Sequence, residues 1–155
     1  MRFLLSLAAS ALATNYSKEP RNVTLKIESN DTRFNDKGLA SVDFGDRIRG
    51  VLISNDLWVY EEISRNDGIY DFINGQPLIL CQYFDQIVFR FGIYQNNMTY
   101  VRGDYLTYRE LDNTFYACKS LPYDPLNYTS RGYYGVQAFL ESAPDDCTPI
   151  KIRVL

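Results

Sequence analysis

Asp145-Asp146 and Glu61-Glu62 are paired carboxylates, the side chains that hydrolysis of a glycosidic bond requires. Adjacent residues of an extended segment point to opposite faces, so neither pair builds a site by itself. Asp145-Asp146 also follows Pro144 and precedes Cys147-Thr-Pro149, which is the composition of a solvated turn. Histidine is absent from the chain. Its absence removes Ser-His-Asp and Cys-His catalysis, the histidine pair of a ribonuclease, and most zinc sites. Three scattered cysteines do not complete a metal site, and no Gly-rich phosphate loop stands at a strand–helix junction. The expectation is a protein that is not an enzyme, with no catalytic residues, no metal and no cofactor.

Binding chemistry is better represented. Tyr123-Asp-Pro-Leu-Asn-Tyr128 and Tyr133-Tyr134 place rings beside polar groups, and Trp58 could join them. Tyrosine offers an apolar face and a hydrogen-bonding tip, which suits a carbohydrate or a protein surface. The alternative is that these rings pack the core or the edges of a β domain. Arg102-Gly103-Asp104 matches an adhesion tripeptide, but it reads as a glycine turn between two strands.

The cysteines suggest a clasp. Cys118 and Cys147 would close a loop of about 30 residues and contribute about 3–4 kcal/mol on the chain-entropy model. Cys81 lies in the apolar run Pro77-Leu-Ile-Leu-Cys81 and is expected to be a buried, inert thiol. Pairing of Cys81 with one of the others, or between chains, is the alternative.

Disulfides imply an oxidising compartment, and the start of the chain agrees. Arg2, the apolar run Phe3–Leu12 and Ala11-Leu12-Ala13 fit a signal peptide over residues 1–13, followed by a flexible arm over 14–21. Five sequons, at Asn15, Asn22, Asn30, Asn97 and Asn127, fit N-glycosylation of a secreted glycoprotein. No run is long and apolar enough for a membrane span, so none is expected in the mature chain. The net charge of −3 carries no basic footprint for nucleic acid.

The elements that must position these residues are short strands. Asn22–Glu28 alternates, with Val23, Leu25 and Ile27 on one face. Gly38–Phe44 is a weaker strand. Gly50–Ser54 and Leu57–Glu61 look like a hairpin around Asn55-Asp56. Asn66-Asp67-Gly68, Asn74-Gly75 and Gln95–Asn97 are further turns. Between them lie Ile69–Ile73, Pro77–Cys81 and Gln86–Tyr94, the longest candidate. Met98–Val101, Tyr105–Tyr108, Thr114–Cys118, Tyr133–Leu140 and Pro149–Leu155 complete the series. Short strands at regular spacing with Asn/Asp/Gly turns predict one all-β domain over 22–155, an antiparallel β-sandwich or barrel, with a β-trefoil-like fold as the alternative.

Several segments together resemble a class of small secreted ascomycete proteins. These are Thr24-Leu-Lys-Ile-Glu-Ser-Asn30, Phe89–Tyr100, Phe115-Tyr-Ala-Cys-Lys119 and Ala143-Pro-Asp-Asp-Cys-Thr-Pro-Ile-Lys-Ile-Arg-Val154. The resemblance covers most of the chain beyond residue 13 and implies a secreted fungal protein of the cell wall or cell surface, or an effector. It brings no catalytic residues, and Cys81 lies outside its pattern. Three functions follow as expectations: non-catalytic binding of cell-wall polysaccharide; an effector or toxin that binds a host or competitor protein; and a carboxylate-dependent glycoside hydrolase. The oligomeric state is not legible.

Overall fold

The computed structural model describes residues 19–45, 48–63, 68–82, 89–92, 99–108, 115–139 and 142–155. The segment expected to be a signal peptide, most of the expected arm, Asn15, Asn97 and the turns expected at 66–67 and 95–97 lie outside the described residues. Arg21, the last residue of the expected arm, opens the first strand.

Among the described residues twelve strands follow in order: β1 (Arg21–Glu28), β2 (Gly38–Gly45), β3 (Ile48–Ser54), β4 (Val59–Ile63), β5 (Gly68–Ile73), β6 (Gln76–Gln82), β7 (Phe89–Gly92), β8 (Thr99–Arg102), β9 (Tyr105–Tyr108), β10 (Phe115–Cys118), β11 (Gly135–Ala138) and β12 (Cys147–Val154). All pairings are antiparallel. In β1, Val23, Leu25 and Ile27 are buried, as the alternation predicts. In β12, Ile150, Ile152 and Val154 are buried while Lys151 is exposed.

Six strands close into a barrel in the order β1–β2–β3–β11–β10–β12 and back to β1. The two edges of β1 account for the closure. Thr24 exchanges backbone hydrogen bonds of 3.0 Å with Leu155 on one side. On the other, Ile27 donates to Lys37 O at 2.7 Å and accepts from Asp36 N at 2.9 Å. Closure leaves no open edge along this ring. All six barrel strands come from the first and last parts of the chain, whereas a trefoil would draw on every third.

The middle strands form a meander outside the ring. β4 leaves β1 at Arg21–Thr24, runs on through β5 and β6 to β7, and returns to β3 at Arg49 and Gly50. Its β5–β6 turn is Asn74-Gly75, with φ of 49° and 78°, as a primed hairpin turn demands. The β8–β9 hairpin hangs on β12 through Arg153 and Tyr105, and Thr99 Oγ1 donates to Leu80 O at 3.0 Å. Arg102–Asp104 is the turn of that hairpin, with Gly103 at φ 63°.

One expectation is corrected. Gly50–Ser54 and Leu57–Glu61 do not form a hairpin, because β3 pairs with β2, β7 and β11, and β4 pairs with β1 and β5. Residues 55–58 instead carry the chain past β2 to β1. They cross Gly38 so closely that a Cβ there would sit 2.3 Å from Asp56 O. Asn55-Asp56 is a bend in a crossover, pinned by Asp56 N donating to Ser54 Oγ at 3.0 Å.

The core holds aliphatic side chains from the barrel and meander, with Phe34, Tyr60 and Tyr108. A polar group joins the two parts. Arg49 Nε donates to Ser41 Oγ at 2.6 Å and lies 3.0 Å from Asp71 Oδ2, tying β2 and β3 to β5. Tyr60 donates to Leu39 O at 2.6 Å; burial, with the nearby charge of Asp71, pushes its hydroxyl above the usual phenol range. Cys118 and Cys147 stand directly opposite in the β10–β12 register with Cα atoms 4.2 Å apart, and they form the disulfide. Cys81 is a buried thiol in β6.

Candidate functional site

Two polar segments and one tyrosine-rich segment meet at the surface beside β3. The first is the β1–β2 loop. Asp31 O accepts the backbone N–H groups of Phe34 and Asn35 at 3.0 and 3.1 Å, and Asn35 Oδ1 accepts that of Ser29 at 3.1 Å. This tight turn drives Phe34 into the core and leaves Arg33 outside. Arg33 forks onto Asp31, at 2.6 Å from Nη2 to Oδ2. Each holds the other charged: the Arg33 hydrogen bonds lower the Asp31 carboxyl, and Asp31 raises the guanidinium.

The tyrosine-rich segment, 119–134, lies over the outer face of β2, β3 and β11. Leu121 fills the space above Gly135, where a Cβ would stand 2.2 Å from its side chain. Phe44 stacks on Tyr128 at 5.8 Å and meets Tyr123 at 6.1 Å. Tyr128 meets Tyr133 edge-on at 5.9 Å. The turn is held by Asp124, which accepts from Tyr128 N, Thr129 N and Thr129 Oγ1, each at 2.8 Å. Burial pushes the Asp124 carboxyl up, but those hydrogen bonds and the charge of Arg131 outweigh it, so its pKa is lowered. The segment returns to the barrel where Ile53 N donates to Tyr134 O at 2.8 Å.

A groove of about 540 Å³ opens between these segments and the β3–β4 crossover. Tyr133, Tyr134 and Arg33 form one wall. Tyr134 packs edge-to-face on Phe34 at 4.8 Å, and the Arg33 guanidinium lies 6.0 Å from the Tyr134 ring centre. Lys37, Asn55 and Asp56 form the other, with Lys37 Nζ donating to Asn55 Oδ1 at 2.7 Å. Exposed ring surface thus faces both donors and acceptors, a pattern suited to a polyhydroxylated ligand.

The expected tyrosines divide between two roles. Tyr133 is 49% exposed and Tyr134 is half-buried, and both line the groove. Tyr123 and Tyr128 are half-buried behind them on Phe44, so they support the wall. Trp58 is exposed but does not line the groove; it precedes β4. Asn22, Asn30 and Asn127 are all exposed, with Asn127 in the left-handed conformation at φ 53°.

The carboxylate pairs do not converge on the groove. Asp145-Asp146 is a turn in which Asp146 Oδ2 accepts from Ser120 Oγ at 2.6 Å. Glu62 is buried and faces Arg21 Nη2 at 2.6 Å, while Glu61 is half-exposed on the other face of β4. Among the described residues no group of three or more metal-ligating side chains could hold an ion.

Arg33, Lys37, Asn55 and Asp56 were not legible as site residues. A single phenylalanine in an otherwise polar loop, at Phe34, was the signal that this loop docks on the core. The chain matches no family model, and comparison with curated proteins and with solved structures finds no match.

Proposed function

We propose that this protein is a secreted fungal glycoprotein that acts without catalysis, binding a cell-wall polysaccharide in the groove between Tyr133-Tyr134 and Asn55-Asp56. The observation that carries the reading is the juxtaposition of Tyr133, Tyr134 and Arg33 with Lys37, Asn55 and Asp56 across one cleft. The apolar face of a sugar ring would lie on Tyr133, and its hydroxyls would bond to the polar wall. Asp31 neutralises Arg33, so the wall carries no concentrated charge and a neutral glycan suits it. The disulfide and the exposed sequons support an extracellular location. The test incubates purified glycosylated protein with insoluble chitin, β-glucan and whole fungal walls. Saturable pelleting with one polymer is expected; no pelleting with any overturns the reading.

A second reading, binding to a host or competitor protein, draws on the consecutive exposed residues Leu57, Trp58 and Val59. Saturable capture of one host protein, lost on Trp58→Ala, would support it. A carboxylate-dependent glycoside hydrolase has less behind it, since Asp145-Asp146 lies in an exposed turn and Glu62 faces Arg21.

A further inference from the structure

The outward face of β4, β1 and β12 carries an apolar row that the groove does not use. Thr24 stands opposite Val59 on β4, and exchanges hydrogen bonds with Leu155 at the end of β12. Residues directly opposite in antiparallel strands share a face, so Val59, Thr24 and Leu155 form one line. Glu61 pairs with Tyr70, which puts Phe72 on the same face as Val59, and Phe72 pairs with Pro77 on β6. Val59 is 62% exposed, Leu155 49% and Phe72 39%. Exposed apolar side chains gathered on one face mark an interaction site or an aggregation liability.

Asn22 offers a cover. It opens the sequon Asn22-Val23-Thr24, it is exposed, and alternation along β1 gives it the same outward face as Thr24. Two residues of strand span about 6–7 Å, and neighbouring strands lie about 4.8 Å apart. Val59 is therefore the diagonal neighbour of Asn22, about 7–8 Å away across the strands. Glu61, opposite Asn22, borders the row on that side. Lys26 and Arg153 border it on the other.

We propose that Asn22 carries an N-linked glycan whose core sugars lie over the Phe72–Val59–Leu155 row and keep this face from self-association. The proposal rests on the reading of the protein as a secreted glycoprotein. Bulky, hydrated sugar would replace water over apolar surface that the described residues leave open.

The test expresses the full chain in a eukaryotic secretory host and maps occupancy at each sequon by peptide mass after enzymatic deglycosylation. Asn22→Gln and the control Asn30→Gln are then compared by apolar-dye fluorescence and sedimentation. Occupancy at Asn22 is expected. Asn22→Gln should raise dye fluorescence several-fold and add dimers or larger species, and Asn30→Gln should do neither. Adding Val59→Thr and Phe72→Thr to Asn22→Gln should restore the monomer. An empty Asn22 beside occupied sequons elsewhere would overturn the proposal and leave the secreted reading standing. An occupied Asn22 whose removal changes neither readout would also overturn it. Efficient secretion with every sequon empty would overturn both the proposal and the glycoprotein reading.

Discussion

Phe44 and Tyr128 stack with ring centres 5.8 Å apart and planes 19° from parallel. The contact fastens the tyrosine-rich segment to β2, and through Tyr133 it reaches the groove. It depends on Gly50 of β3, because a Cβ there would lie 2.0 Å from the Phe44 ring. Gly50→Ala should displace Phe44 and cost about 1–3 kcal/mol by overpacking. Chemical denaturation should show the loss, and near-ultraviolet circular dichroism should show weaker tyrosine signals.

Asp124 makes the same segment pH-sensitive. Its carboxyl titrates below the ordinary value of about 3.9. A lowered folded pKa contributes stability above the unfolded value, and that contribution is lost as pH falls through the folded one. Tyrosine order and ligand binding should hold from neutral pH to about 4 and decline below it. Asp124→Asn should weaken the segment at pH 7 and flatten the dependence. Circular dichroism across pH 2–7, set as an experimental window on either side of the ordinary aspartate pKa, reads both effects.

The Cys118–Cys147 bond joins strands 29 residues apart in sequence. Replacing both cysteines by alanine should cost about 3–4 kcal/mol if loop entropy dominates. Reducing agent should lower the stability of the wild type towards that of the variant and leave the variant unchanged. Urea midpoints with and without reductant check this.

Much of the barrel was legible because it follows local rules. Val23, Leu25 and Ile27 alternate with outward polar residues, and so do Ile150, Ile152 and Val154. Asn74-Gly75 announces its own turn, since both residues accept positive φ. The hairpin expected around Asn55-Asp56 failed for a nonlocal reason: β3 finds better partners in β2 and β11, and Gly38 lets the chain cross. The groove was hidden for a similar reason. Arg33 and Tyr134 lie 101 residues apart in sequence and meet only because Phe34 docks in the core.

Asp71 and Arg49 test the link between barrel and meander. Their side chains are only 18% and 21% exposed, and Ser41 Oγ, fully buried, donates to Asp71 and accepts from Arg49. Removing one partner leaves a poorly hydrated charge. Arg49→Met should cost about 2–4 kcal/mol, somewhat under a fully buried pair. Arg49→Met with Asp71→Leu should recover most of it. Denaturation of the two single variants and the double variant measures the coupling.

Tyr133→Ala tests the central claim most directly. Tyr133 is 49% exposed and its neighbours are held by Phe44 and Phe34, so the fold should survive. The measurement is the dissociation constant for the polymer that pellets the wild type, taken for wild type and variant together. A loss of about three- to tenfold, roughly the 0.5–1.5 kcal/mol that an aromatic contact supplies, is the expected result. Equal affinity in a folded Tyr133→Ala protein would contradict the groove as the binding site.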